Sequence, residues 1–138
     1  MSPQEGCEMA NNVNVLVLDD EPLVGKRLKS VLAKMGCEVE AFDDPRAALA
    51  RIDEKEFDIV ITDVVMGEVD GIQVLERVRV RSPRAKVIIM SAYAMMAMAR
   101  KAMERGAYDF IAKPFVPEEM RTIVGNAVHD LGLELTGV

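Results

Sequence analysis

Val15-Leu16-Val17-Leu18-Asp19-Asp20-Glu21-Pro22 is the stretch on which the reading of the fold turns. Four apolar residues in an unbroken run are too few for a helix and suit a strand buried on both faces. Three acids follow at once, and Pro22 fits the first turn of a helix. From there Val24, Leu28, Val31, Leu32 and Met35 recur at helical spacing, and Gly36 supplies a stop. Strand, acidic turn and helix make half of a βαβ unit.

The same unit recurs outward from this stretch. Residues 38–42 read as a second, weaker strand, and Asp43-Asp44-Pro45 caps a helix running through Asp53. Ile59-Val60-Ile61-Thr62 ends in Asp63. A loop over residues 64–70 then leads through Gly71 into a helix carrying Ile72, Val74, Leu75 and Val78, ended by Ser82-Pro83. Val87-Ile88-Ile89-Met90 is a fourth strand running into Ser91-Ala92, and a methionine-rich helix over residues 94–105 stops at Gly106. The fifth strand, near residues 108–112, ends in Lys113-Pro114, and Pro117 opens a last helix with Met120, Ile123, Val124, Ala127, Val128 and Leu131 on one stripe. Five strands alternating with five helices predict an α/β fold, a doubly wound parallel sheet with helices on both faces. The order 2-1-3-4-5 would put the switch point between strands one and three. With no internal repeat or inner linker, a single domain is expected over residues 14–131, between a flexible N-terminal tail (1–13) and a short C-terminal tail (132–138).

Composition narrows the function. In 138 residues, half are hydrophobic and 29% charged, enough for one packed core. A net charge of -6 argues against a chain that itself wraps nucleic acid or lies on an anionic membrane, so neither partner is expected. The one histidine, His129, falls in a late helical pattern and leaves histidine-based metal sites and Ser-His-Asp chemistry poorly supplied. Cys7 and Cys37 share no metal spacing and read as reduced thiols of a cytoplasmic protein. The first fourteen residues hold no signal-peptide pattern, and no apolar run approaches the ~20 residues of a membrane span.

The polar residues sit at strand ends. Asp19, Asp20 and Glu21 follow strand one, Asp63 follows strand three, Ser91 strand four and Lys113 strand five. Such ends share one edge of a doubly wound sheet, where ligands bind. Converging carboxylates repel by up to ~4 kcal/mol for a pair ~4 Å apart at an effective dielectric of ~20. A divalent cation relieves this, and Mg²⁺ prefers hard oxygen ligands. Lys113 adds a positive charge and Ser91 a hydroxyl, which makes the edge a site for a tetrahedral dianion beside a carboxylate.

Taken in order, residues 15–21, Asp63-Val64-Val65-Met66-Gly67-Glu68-Val69-Asp70-Gly71, Ser91-Ala92 and Phe110-Ile111-Ala112-Lys113-Pro114-Phe115 resemble the receiver domain of two-component response regulators, over about residues 14–131. The resemblance implies a flavodoxin-like, chemotaxis-regulator-like fold and a phosphorylation-activated signalling switch rather than an enzyme in its own right. A sensor histidine kinase or phosphotransfer protein would supply the phosphoryl group to Asp63. By the same match Asp20 and Asp63, Asp19 directly or through water, and the Val65 backbone carbonyl would hold Mg²⁺. Lys113 and Ser91 would contact phosphoryl oxygens, Phe110 would move when Ser91 shifts, and Lys113-Pro114 would be a cis peptide. The face of helix four, strand five and helix five would meet a downstream protein or output domain, with a homodimer on phosphorylation a further implication.

Each residue alone has a plainer explanation, since acids ahead of a helix cap it and favour its dipole, and a lone lysine is usually solvated. Their shared placement at strand ends is what independent capping does not explain. Departures from the family pattern are Gly67 in place of proline, Ser91 in place of the commoner threonine, and Val65 and Tyr93 at positions that tune hydrolysis. An apolar Val65 cannot orient a water, so slow self-dephosphorylation is expected. Met95, Met96, Met98 and Met103 read first as core filler, with at least one of Met95, Met96 and Met98 on a partner surface. Two rivals lack their signatures: a haloacid-dehalogenase-like phosphatase needs Asp-x-Asp after strand one, and a flavin carrier needs a hydroxyl- and glycine-rich loop there. An interaction module that works without phosphorylation is a third reading. Residues 106–115 also resemble receivers of σ54-dependent activators, leaving open a receiver cut from a longer regulator.

Overall fold

Chains of apolar residues become strands here because both faces of one sheet are covered. The computed structural model describes residues 13–67 and 69–135; the N-terminal tail up to residue 12 with Cys7, Glu68, and residues 136–138 lie outside the described residues. In chain order the elements are β1 (Val13–Leu18), α1 (Pro22–Ala33), β2 (Cys37–Phe42), α2 (Pro45–Glu54), β3 (Ile59–Asp63), α3 (Gly71–Arg81), β4 (Lys86–Ala92), α4 (Met96–Glu104), β5 (Asp109–Lys113) and α5 (Pro117–Asp130). The strands pair in parallel, as the alternating pattern predicts, and their order is β2-β1-β3-β4-β5. Side-chain parity sorts the core into two layers. Leu16, Leu18, Val60, Val87 and Ile89 face α2, α3 and α4, while Val15, Val17, Ile61, Ile88 and Met90 face α1 and α5. Each fully buried leucine or isoleucine among them contributes about 1.5–3 kcal/mol.

Several boundaries differ from the sequence reading. β1 begins at Val13 and β4 runs to Ala92, because parallel pairing with β2 and β5 (Val13 opposite Cys37, Ala92 opposite Lys113) extends past the apolar runs. The helix expected over residues 94–105 is shorter: a 3₁₀ turn, Tyr93–Met95, precedes α4. Residues 64–70 are not plain loop but carry a two-residue antiparallel ladder, Val65 opposite Asp70 and Met66 opposite Val69. Gly67 turns it at φ +73°, a left-handed conformation that glycine adopts without steric cost.

The capping residues are divided between roles. Asp44 caps α2 by accepting from the Arg46 N–H (3.1 Å), and Asp70 and Gln73 form a capping box on α3. The acids after β1 do not cap: α1 starts from Glu21 without a side-chain cap, and Asp19 instead accepts from the Glu21 N–H at 2.9 Å. Met95, Met98 and Met103 are half-buried and pack on the core beneath α4. Met96 is half-buried outside that group, and Tyr93 is the largely exposed apolar side chain of this segment, at 75%. Cys37 is a free, buried thiol, pushed up to about 11 by burial and then by the charge of Asp58. Among the described residues no helix is long and apolar enough to cross a membrane.

Candidate functional site

The C-terminal ends of β1, β3 and β5 bring the site together. Asp19 leaves β1 with its amide still bonded to the Phe42 carbonyl (3.1 Å), and its side chain is fully buried. Asp63 is the last residue of β3 and is half-buried, while Asp20 is exposed. One carboxylate oxygen from each of Asp19, Asp20 and Asp63 lies within 4.8 Å of the others. From the end of β5, Lys113 reaches back over β4 and donates from Nζ to Asp19 Oδ2 (2.8 Å) and Asp63 Oδ2 (3.1 Å). The Lys113-Pro114 peptide is cis, as the family resemblance implies.

Three carboxylates against one ammonium leave an excess of negative charge in a partly desolvated place. Burial alone would lower the Lys113 pKa, but the hydrogen bond to Asp19 and the charges of Asp63 and Asp19 outweigh it and hold the ammonium above its ordinary value. Tyr108 is pushed the same way, to about 12, by its 2.6 Å hydrogen bond to Asp130, then by burial. With Cys37 these groups hold protons more tightly folded than unfolded, so their contribution is fully present below the ordinary thiol value of 9.0 and is lost as pH climbs through the folded values. Urea melts between about pH 8 and about pH 11 should therefore show a midpoint that falls with pH; a level midpoint would contradict these shifts.

Ser91 and Phe110 stand differently. Ser91 is fully buried at the end of β4, and its hydroxyl donates to the Ala92 carbonyl (3.0 Å) rather than toward the acids. Phe110 is half-buried and packs on the core layer under α2, α3 and α4. Val65 lies in the short ladder two residues past Asp63. Beside Lys113 a cavity of about 630 Å³ opens between α1 and the chain after β5, walled by Val24, Leu28, Ala92, Pro114 and Phe115. Two residues to which the sequence reading gave no part in the site lie close to the Asp63 carbonyl. Buried Thr62 donates to the Asp63 carbonyl (3.0 Å), and Gly71, which opens α3, lies against the same carbonyl. A glycine at a first helical position, where helix propensity gives no reason for it, was the available signal.

The family model for the response regulator receiver domain matches residues 15–125. The chain belongs to that family. Receiver domains are regulatory modules of two-component response regulators, and this one is similar at 36% identity to the chemotaxis protein CheY of Thermotoga maritima, over 77% of this chain and 89% of that protein. It is also 36% identical to the regulatory protein AtoC of Escherichia coli over 83% of this chain, and to the DNA-binding transcriptional regulator NtrC of a Bradyrhizobium species over 85%. This receiver domain spans about a quarter of the length of those last two, 25% and 24%. Among solved structures, a receiver domain protein from Clostridium thermocellum superposes with a TM-score of 0.80 at 28% identity, covering 86% of this chain and 95% of that one. The NtrX receiver domain from Brucella abortus does so at 0.77 and 29%, covering 83% and 98%.

Proposed function

We propose that this receiver domain takes a phosphoryl group onto Asp63 from the phosphohistidine of a sensor histidine kinase or phosphotransfer protein. The observation that carries the reading is the clustering of the Asp19, Asp20 and Asp63 carboxylates, two of which, Asp19 and Asp63, pair with Lys113. A carboxylate oxygen of Asp63 attacks phosphorus, the P–N bond breaks, and the imidazole leaves, taking a proton from solvent. Asp63 needs no general base, because its nucleophile is a carboxylate and not a hydroxyl that must first lose a proton.

Hard, crowded carboxylate oxygens suit Mg²⁺, which Asp20, Asp63, Asp19 and the Val65 carbonyl would hold. When bound, the ion neutralises charge on the transferring group and orients its oxygens. Lys113 supplies the second positive charge. Ser91 must leave the Ala92 carbonyl to reach a phosphoryl oxygen, and that rotation is the event to which Phe110 responds. The population then shifts to a conformation in which the face of α4, β5 and α5 meets an output domain, a downstream protein or a second copy. Tyr93 and Met96 belong to the approach to this face. The domain works in the cytoplasm and contacts no nucleic acid itself.

Acetyl phosphate with Mg²⁺, read by intact mass, tests the reading directly. Once formed, the acyl phosphate should persist for many minutes, because neither Val65 nor Tyr93 offers a carboxylate, amide or amine to align water. Decay within seconds in purified protein would contradict this.

A further inference from the structure

Two residues hold close to the backbone carbonyl of Asp63. It accepts the 3.0 Å hydrogen bond from Thr62, a side chain with no solvent exposure. A Cβ added to Gly71 would stand 2.7 Å from the same carbonyl oxygen and 3.0 Å from Val64 Cα. Backbone atoms form both of these contacts, so no flexible side chain can swing aside to make room. The Gly71 N–H donates to the Val64 carbonyl at 2.8 Å, which ties the start of α3 to the end of β3. Gly71 is not among the glycines with positive φ, so the position demands glycine for space and not for backbone conformation.

We propose that Thr62 and Gly71 are positioning residues for phosphoryl transfer: their grip on the Asp63 carbonyl fixes where the carboxylate stands relative to Lys113 Nζ. The proposal rests on the reading of Asp63 as the acceptor. Moving the carbonyl far enough to admit a methyl group tilts the Cα–Cβ bond of Asp63 and carries its carboxylate out of line with Lys113. In-line attack tolerates little of this, since misplacement by about 1 Å costs about a hundredfold in rate. The hydrogen bond from Thr62 to the same carbonyl resists that tilt.

The test compares the wild type with Gly71→Ala, Thr62→Val and Thr62→Ser. Gly125→Ala serves as a control, because a Cβ there meets nothing within 4 Å. Phosphorylation by acetyl phosphate is measured at saturation per folded molecule with the modified residue mapped by peptide mass, and Mn²⁺ affinity is followed separately by water proton relaxation. Gly71→Ala should lower the saturating rate about tenfold or more with little change in KM, and should also shift Mn²⁺ affinity. Thr62→Val should slow the reaction several-fold, Thr62→Ser should restore it, and Gly125→Ala should match the wild type. Folded Gly71→Ala and Thr62→Val proteins that differ only in melting temperature, with wild-type rates and Mn²⁺ affinity, would overturn the proposal. If Gly71→Ala does not fold, the Thr62→Val and Thr62→Ser pair decides it by the same criterion. Failure of the acceptor reading is seen separately, as wild-type protein modified elsewhere than Asp63 or not at all, and it removes this proposal with it.

Discussion

Asp63→Asn should abolish phosphoryl uptake. A neutral amide oxygen is a far weaker nucleophile than a carboxylate, and Lys113 Nζ, 3.1 Å from Asp63 Oδ2, would lose half of its charge-assisted pairing there. Loss of fold does not account for the expected result, because the substitution removes one of three mutually repelling carboxylates and should leave stability unchanged or raised. Wild type and variant are treated side by side with acetyl phosphate and Mg²⁺, and intact mass reports whether one phosphoryl group is gained. Equal modification of both would sink Asp63 as the acceptor. Modification of neither would favour a module that binds its partner without phosphorylation.

Lys113→Met should produce the largest loss of stability, with a recovery that depends on cation. Asp19 is fully buried and its Oδ2 lies 2.8 Å from Lys113 Nζ, so removing the ammonium strands a desolvated carboxylate beside Asp63. Stranding one partner of a buried pair typically costs 3–5 kcal/mol; about 3 kcal/mol is expected here, because Lys113 keeps 20% of its side chain exposed. Mg²⁺ should restore part of this, by about 2.7 kcal/mol at one hundred times its dissociation constant, and should stabilise the variant more than the wild type, where Lys113 already neutralises the acids. Urea melts with and without Mg²⁺ make the comparison. A variant as stable as the wild type without cation would show that the ion pair contributes little.

Much of this was legible in the chain itself, for physical reasons that can be named. Val15 to Leu18, Ile59 to Thr62 and Val87 to Met90 read as strands because a sheet covered on both faces needs apolar residues of both parities. The chain alone places Asp19, Asp63 and Lys113 together, because parallel strands in one doubly wound sheet must end on the same edge. Strand ends were less legible. β4 continues through Ser91 and Ala92 because β5 lies beside it, a pairing that local composition does not record. The ladder around Gly67 leaves no mark in the sequence, since two-residue strands show no alternation. Ser91 was identified as a site hydroxyl, but its direction toward the Ala92 carbonyl is a rotamer choice, which sequence does not carry. Thr62 and Gly71 are not legible as site residues because their contacts are steric and backbone-directed, and no charge or side-chain pattern marks them.

The ion pair between Lys113 and Asp19 links residues 94 positions apart, across β4 and β3 to β1. Loop closure over that distance is among the last contacts a growing polypeptide can make, since the lysine leaves the ribosome long after the acids. A chain interrupted before β5, or one whose last strand has frayed, therefore presents acids without their ammonium. On the proposed reading, only a molecule complete through Lys113 has the full set of charges that phosphoryl transfer uses.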